Sequence, residues 1–190
     1  MANWAITDYV IEGPDDILKK INDAIENHQV KEGSSDNWEG NILDALEIPF
    51  ENRPEEDSWY MRGFVEDHNL TNDGKLTIYA EEAWGATDFR KALKEKFPEI
   101  TVYFVTEEQG CSVFETNDKE GKYFTDRYFA EANLDPIYNY DYFQTKDEAL
   151  RYLSNMTDGR VKTEEDIDKF NEDEYENNHS VNLYEYKIVD

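Results

Sequence analysis

The chain has 190 residues, enough to bury a substantial core, and its ten Phe, thirteen Tyr and four Trp supply large apolar surfaces to fill it. Forty-five Asp and Glu against nineteen Lys and Arg leave a formal charge of −26, a field that repels phosphates and anionic lipid and attracts cations and basic proteins. Cys111 is the only cysteine, which excludes an intramolecular disulfide and a thiolate metal cluster.

In chain order, residues 3–12 are rich in strand formers and stop at Gly13-Pro14. Pro14-Asp15-Asp16 suits a helix N-terminus, and Ile17, Leu18, Ile21, Ala24, Ile25 and His28 then fall on one helical face. Residues 30–54 read as loop, with a short helix over 41–47 and a charged break at Glu55-Glu56-Asp57. Strands follow over 58–67 and 75–83, joined through the tight-turn signal Asn72-Asp73-Gly74.

Thr87 reads as the N-cap of a second long helix, with Phe89, Leu93 and Phe97 on one side and Pro98 as its stop. Residues 100–106 form a strand, then a turn at Glu107-Glu108-Gln109-Gly110. Two more strands, 111–116 and 123–130, are expected to pair as a hairpin. Thr145 with Glu148 makes a capping box for a helix ended by Asp158-Gly159; Thr163 with Asp166 opens another, and 181–189 closes the chain as a strand.

The order strand, helix, two strands, helix, strand predicts an α+β protein with a ferredoxin-like βαββαβ antiparallel sheet and its helices on one face. The expected organisation is a domain over 1–133 that includes the extra hairpin, with residues 134–190 as a C-terminal α/β elaboration packed on it.

Met1-Ala2-Asn3-Trp4, the strand ending in Gly13, Trp59, Ala83-Trp84 and Phe97-Pro98-Glu99-Ile100-Thr101-Val102 followed by Glu107-Glu108-Gln109-Gly110 occur in an order and spacing that resemble a known family. It is the ferredoxin-like domain of YubB-type proteins from plasmids, phages and bacterial mobile elements. The likeness covers residues 1–130, with Gly85-Ala86-Thr87 where the family often has Ser-Pro-Pro. It implies the fold and a bacterial setting, and no chemistry.

Catalytic signatures are missing. Neither Gly74-Lys75 nor Gly121-Lys122 sits in a phosphate-binding loop, and no HExxH, GxSxG or GxGxxG occurs. His28, His68 and His179 are scattered, and His28 reads as a structural imidazole continuing a helix face. Cys111 reads as a thiol packed in the sheet. The stretch Asn69–Ala80 echoes a calcium loop, but Ala80 stands where the bidentate carboxylate belongs. No catalytic residue, metal site or cofactor is assigned.

Two stretches remain as candidate binding elements. Tyr138, Tyr140 and Tyr142 would project from one side of an extended segment as an aromatic strip, without the Lys and Arg that base binding requires. Glu164, Glu165, Asp168, Glu172 and Asp173 belong to an acidic run whose like charges at i, i+4 disfavour a helix, so a solvated face competes with an interaction surface.

Three functions are open: a non-enzymatic binding or accessory module with a basic protein as partner, an acidic mimic of nucleic acid that occupies a DNA-binding protein, and an enzyme whose carboxylate site forms only in the fold. Direct nucleic-acid or membrane binding is not expected, and the opening residues lack a signal peptide's basic and apolar regions, so a cytoplasmic location is.

Overall fold

The computed structural model describes residues 3–51, 54 and 57–190; Met1-Ala2 and Glu55-Glu56 fall outside them. The protein is α+β, with five α-helices and two sheets among the described residues. It divides into two compact units, Met1–Asp118 with Val189–Asp190, and Lys119–Ile188.

The first unit is built from β1 (Trp4–Glu12), α1 (Asp15–Asn27), α2 (Glu39–Ala45), β2 (Gly63–Leu70), β3 (Lys75–Ala83), α3 (Phe89–Lys96), β4 (Thr101–Glu108) and β5 (Val113–Thr116). Its strands are ordered β2-β3-β1-β4-β5, every neighbouring pair antiparallel. Alternation decides which residues face the helices. Ala5, Tyr9 and Ile11 of β1, Leu76, Ile78 and Ala80 of β3, and Val102 and Phe104 of β4 are buried beneath Leu18 and Ile21 of α1 and Phe89 and Leu93 of α3. Ile17 packs against this core half-buried. The turn after β2 keeps Gly74 at a φ of 75°, a left-handed geometry that glycine adopts without a Cβ clash.

The second unit holds β6 (Tyr128–Leu134), β7 (Ile137–Phe143), α4 (Lys146–Met156), α5 (Glu164–Asp173), β8 (His179–Glu185) and the two-residue β9 (Lys187–Ile188). Its sheet runs β7-β6-β8, antiparallel throughout. Ala130, Ala132 and Val181 are buried with Ala149 and Leu153 of α4 and Ile167 and Phe170 of α5, a core separate from the first. Asn171 ties α5 to β8: its amide accepts from the Val181 N–H at 2.8 Å and donates to the Val181 carbonyl at 2.9 Å.

Three expectations need correction and a fourth holds in part. Residues 111–116 and 123–130 do not form a hairpin: β5 pairs with β4, whereas β6 starts a new sheet. Asn117 explains the break. Its side chain accepts from the Phe104 N–H at 2.8 Å and donates to the Val102 carbonyl at 2.7 Å, so an amide group finishes the edge a longer β5 would have used. The boundary accordingly falls at Asp118/Lys119 rather than after residue 133, and the C-terminal part has its own core. Thr87 meets its expectation in part: its Oγ accepts the Phe89 N–H at 3.2 Å at the start of α3, while Asp88 is the residue directly before the helix and the same hydroxyl also faces the Glu39 and Glu82 carboxyls. The closing strand is interrupted at buried Tyr186, between β8 and β9.

Candidate interaction surfaces

The first sheet has helices on one side only, and its other face carries the residues that alternate out of the core. Strand pairing places Ile6 between Glu81 and Glu107, with Phe64 beyond Glu81. The next row sets Asp8 between Tyr79 and Val105, with Asp67 beyond Tyr79. Carboxylates from four strands thus share a face whose strands contain one cation, Lys75. Their mutual influence is visible in titration: partial burial and the neighbouring Glu107 charge hold the Asp8 carboxyl above its ordinary value. Burial and the charges of Glu81, Asp8 and Glu66 raise the Tyr79 phenol likewise.

Most cations of this unit lie on α1 and α3. Lys19 and Lys20 lie on α1, and Arg90, Lys91, Lys94 and Lys96 crowd the short α3. α1 also carries Asp15, Asp16, Asp23 and Glu26, so cations predominate only on α3.

Large rings sit at one end of the acidic face. Trp4 and Trp84 are 40% and 50% exposed, and Tyr60 is 41% exposed, far more than apolar rings of this size require for solubility. Trp4 packs on Phe64 at 5.4 Å and Tyr60 on Trp84 at 6.4 Å. The Arg62 guanidinium lies over both indoles, 5.9 Å from Trp4 and 5.3 Å from Trp84. Trp84 adopts a φ of +61°, a conformation a bulky residue takes only when its surroundings impose it. Here the Trp84 N–H donates to the Asn3 carbonyl at 2.8 Å and Gly85 follows with φ +124°, which turns the indole outward at the end of β3.

Beneath this sheet lies a buried acid pair that the sequence did not announce. Glu39, Glu82 and Thr87 have no exposed surface, and Tyr9 has almost none. The Tyr9 hydroxyl lies 2.7 and 2.9 Å from the two Glu82 oxygens and donates its one proton to that carboxylate, and the Thr87 N–H donates to Glu82 Oε1 at 3.0 Å. The Thr87 hydroxyl lies 2.7 Å from Glu82 Oε1 and 2.8 Å from Glu39 Oε2. One hydroxyl carries one proton, so it can donate to only one of them. Glu82 gathers the donors, and Glu39 must itself donate to Thr87. Burial and the nearby Glu82 charge accordingly hold the Glu39 carboxyl far above the usual range, in its neutral form.

Gly63 makes this possible. A Cβ there would stand 2.5 Å from the Glu39 carboxyl carbon. The surface clefts around Lys31–Trp38, Asp15–Gly74 and Asp147–Lys162 are not lined by either acid. With no histidine in its bonding and no opening to solvent, the pair acts as a clasp between α2, β3 and the start of α3.

Cys111 is not packed in the sheet as expected. It is exposed in a tight turn after β4, where Asn3 Nδ2 donates to its sulfur at 3.0 Å. The Glu108 carboxylate, which accepts the Gly110 and Cys111 N–H groups, raises the thiol above its usual value and disfavours the thiolate. The histidines stay apart. His28 ends α1 with Nδ1 at 3.1 and 3.0 Å from the Ala24 and Ile25 carbonyls, His68 lies 3.8 Å from Glu26, and His179 lies 3.3 Å from Glu174. Among the described residues no group of three or more His, Cys, Asp or Glu is placed to hold a metal ion, and no helix is long and apolar enough to cross a membrane.

The acidic run forms α5 and the turn after it. Glu164, Glu165, Asp168, Glu172 and Asp173 are exposed, while Ile167 and Phe170 hold the helix down. Part of the charge is used locally. Asp166 completes the capping box with Thr163, Lys146 reaches Glu164 at 3.0 Å, and Arg160 pairs with Glu174 and lies 3.7 Å from Asp173.

Tyr138, Tyr140 and Tyr142 stand together on β7, with ring centres 6.0 and 6.2 Å apart. They share a face with Glu131 of β6, which accepts from the Tyr138 hydroxyl at 2.7 Å and from Asn182 at 2.9 Å. Burial and Glu131 push the Tyr138 phenol up to about 12.

No family model, curated protein or solved structure matches the chain.

Proposed function

We propose that the protein is a non-enzymatic binding module whose uncovered first sheet docks a basic partner protein. The observation behind this reading is the strand face itself, where carboxylates from β1, β2, β3 and β4 stand with exposed indoles and the strands carry a single cation, Lys75. Arg62, lying over Trp4 and Trp84, is an internal example of how that surface accommodates a guanidinium.

In this reading the first unit is a ferredoxin-like βαββαβ fold. Its strand order β2-β3-β1-β4, with α1 and α3 on one face, supports that topology. Kinship with the YubB-type domain of bacterial mobile elements rests on the same order and on Trp4, Gly13, Trp59 and Ala83-Trp84. A cytoplasmic setting is supported by the single free thiol at Cys111.

A second reading uses the same face: an acidic mimic of nucleic acid, favoured by carboxylates drawn from four strands. Affinity capture with the triple variant Asp8→Lys, Glu81→Lys, Glu107→Lys tests the first reading. The partner retained by the unaltered protein should be lost from it, and kept by the α5 variant Glu165→Lys, Glu172→Lys. Retention by the triple variant sinks the proposal. Release of the partner by duplex DNA selects the mimic.

A further inference from the structure

β7 is an edge strand: in the order β7-β6-β8 its outer side has no neighbouring strand. Six of its seven residues are exposed, among them Ile137 at 52%, Tyr138 at 51% and Tyr140 at 54%. Proteins ordinarily blunt such an edge with lysine, an internal proline, a bulge or a short strand. β7 has none of these, and its one charge is the acidic Asp141. It runs seven residues in unbroken register with β6, from Ile137 opposite Leu134 to Phe143 opposite Tyr128, and contains no Lys, Arg or Pro.

We propose that this edge receives an extended, arginine- or lysine-bearing segment of a partner protein as a fourth strand of the second sheet. Backbone pairing along β7 would supply the affinity, as in other strand-addition complexes. The tyrosine face would supply selection. Alternate residues of a strand recur about every 6.8 Å, and the rings of Tyr138, Tyr140 and Tyr142 are spaced at 6.0 and 6.2 Å. Every second side chain of the added strand therefore meets one ring, the arrangement that favours a guanidinium or ammonium over an aromatic face.

Glu131 lies on that face with its carboxylate fixed by Tyr138 and Asn182, so a negative charge is in place without further ordering. Charge also decides against the other occupants. A second copy brings another −26, and a nucleic acid brings phosphates. This surface belongs to the second unit and stands or falls separately from the acidic face of the first.

The test uses the whole chain and three end-blocked octapeptides: alternating Thr and Arg, the same peptide N-methylated at alternate residues, and alternating Thr and Glu. The Thr–Arg peptide should bind saturably at physiological salt and shift the amide resonances of Tyr138–Tyr142, while those of β1 and β3 stay in place. N-methylation blocks strand pairing and keeps the charge, so it should weaken binding at least tenfold; the Thr–Glu peptide should not bind. Tyr140→Lys, at an exposed position, should abolish binding with the amide spectrum of β6 and β8 preserved. Equal binding of the N-methylated peptide, shifts confined to the first sheet, absence of binding, or dimerisation through β7 in sedimentation would each overturn the proposal.

Discussion

The two units secure their helices differently. In the first, α1 and α2 begin without a side-chain cap hydrogen bond and α3 has a single one, from the Phe89 N–H to the Thr87 hydroxyl, and what holds them is a core extending from Tyr9 and Phe104 to Leu18, Phe89 and Leu93. In the second, α4 and α5 both begin with complete capping boxes, over a smaller core of alanines and a few large residues. A helix whose buried face is extensive tolerates unsatisfied N-terminal N–H groups exposed to water; one that buries less gains proportionately more from satisfying them. The faces left uncovered differ as well: indoles among carboxylates in the first unit, tyrosines around one anchored glutamate in the second.

Core deletions test whether the difference extends to folding, and have the largest expected effect. Phe89→Ala should destabilise the first unit by about 3–5 kcal/mol and Leu153→Ala the second by about 2–5 kcal/mol. If the cores are energetically distinct, Leu153→Ala removes hydrogen-exchange protection from β6, β8 and α4 while β1, β3 and β4 keep theirs. Equal loss across both units would mean that they fold as one, and the contrast would concern architecture only.

The Glu39 clasp comes next, and its sign follows from burial. The folded carboxyl keeps its proton to higher pH than the unfolded chain, in which a glutamate titrates near about 4.3. Folding therefore takes up a proton above that pH, and this group's contribution weakens as pH rises until the folded carboxyl itself ionises. Glu39→Gln keeps a neutral donor facing Thr87 and removes the titration. Relative to the unaltered protein it should gain stability from pH 5 to pH 8, by up to about tenfold in the folding equilibrium per pH unit. Parallel pH profiles of the two proteins would show that Glu39 carries no proton. Gly63→Ala, which drives a methyl into the carboxyl, should be destabilising at every pH.

What the sequence made legible divides along the same line. Local signals read true. The capping boxes at Thr145 and Thr163, the turn at Asn72-Asp73-Gly74 and the inward alternation of Leu76, Ile78 and Ala80 each depend on residues a few positions apart. Thr87 was legible only in part, because a threonine before a helix has two uses and this one serves both, accepting the Phe89 N–H as well. Its hydroxyl went to carboxyls on β3 and α2, the latter 48 residues away, and no periodicity encodes that choice. The missing hairpin has the same cause: residues 123–130 are good strand formers whichever sheet they join, and the Asn117 side chain takes the β4 backbone groups that a longer β5 would have paired. The tyrosine strip was visible as alternation, but its place on an outer strand was not.

Loss of one cap should be felt more than any exposed charge. Thr145→Ala or Thr163→Ala should cost about 1 kcal/mol each, read as lost protection in the first turn of α4 or α5. Asp88→Ala at the start of α3 removes no cap hydrogen bond there, only the contacts to Tyr60 and Lys91, and should cost less. An equal cost would erase the contrast in how the helices are secured.

The smallest effect concerns the acidic helix, where stability and function can be separated. Glu172 sits in the last turn of α5, where the helix dipole disfavours an anion, and one turn after Asp168. Glu172→Lys removes the like-charge neighbour and places a cation at the favourable end. It should stabilise the second unit by about 0.5–1 kcal/mol at low salt, a gain that fades as ionic strength rises. Since capping and the pairs with Lys146 and Arg160 use other residues, this substitution leaves the helix's own contacts intact. A partner whose binding survives the change assigns the acidity of α5 to its solvated face and leaves recognition to the two sheets; a partner lost with Glu172 would move the docking surface onto the helix.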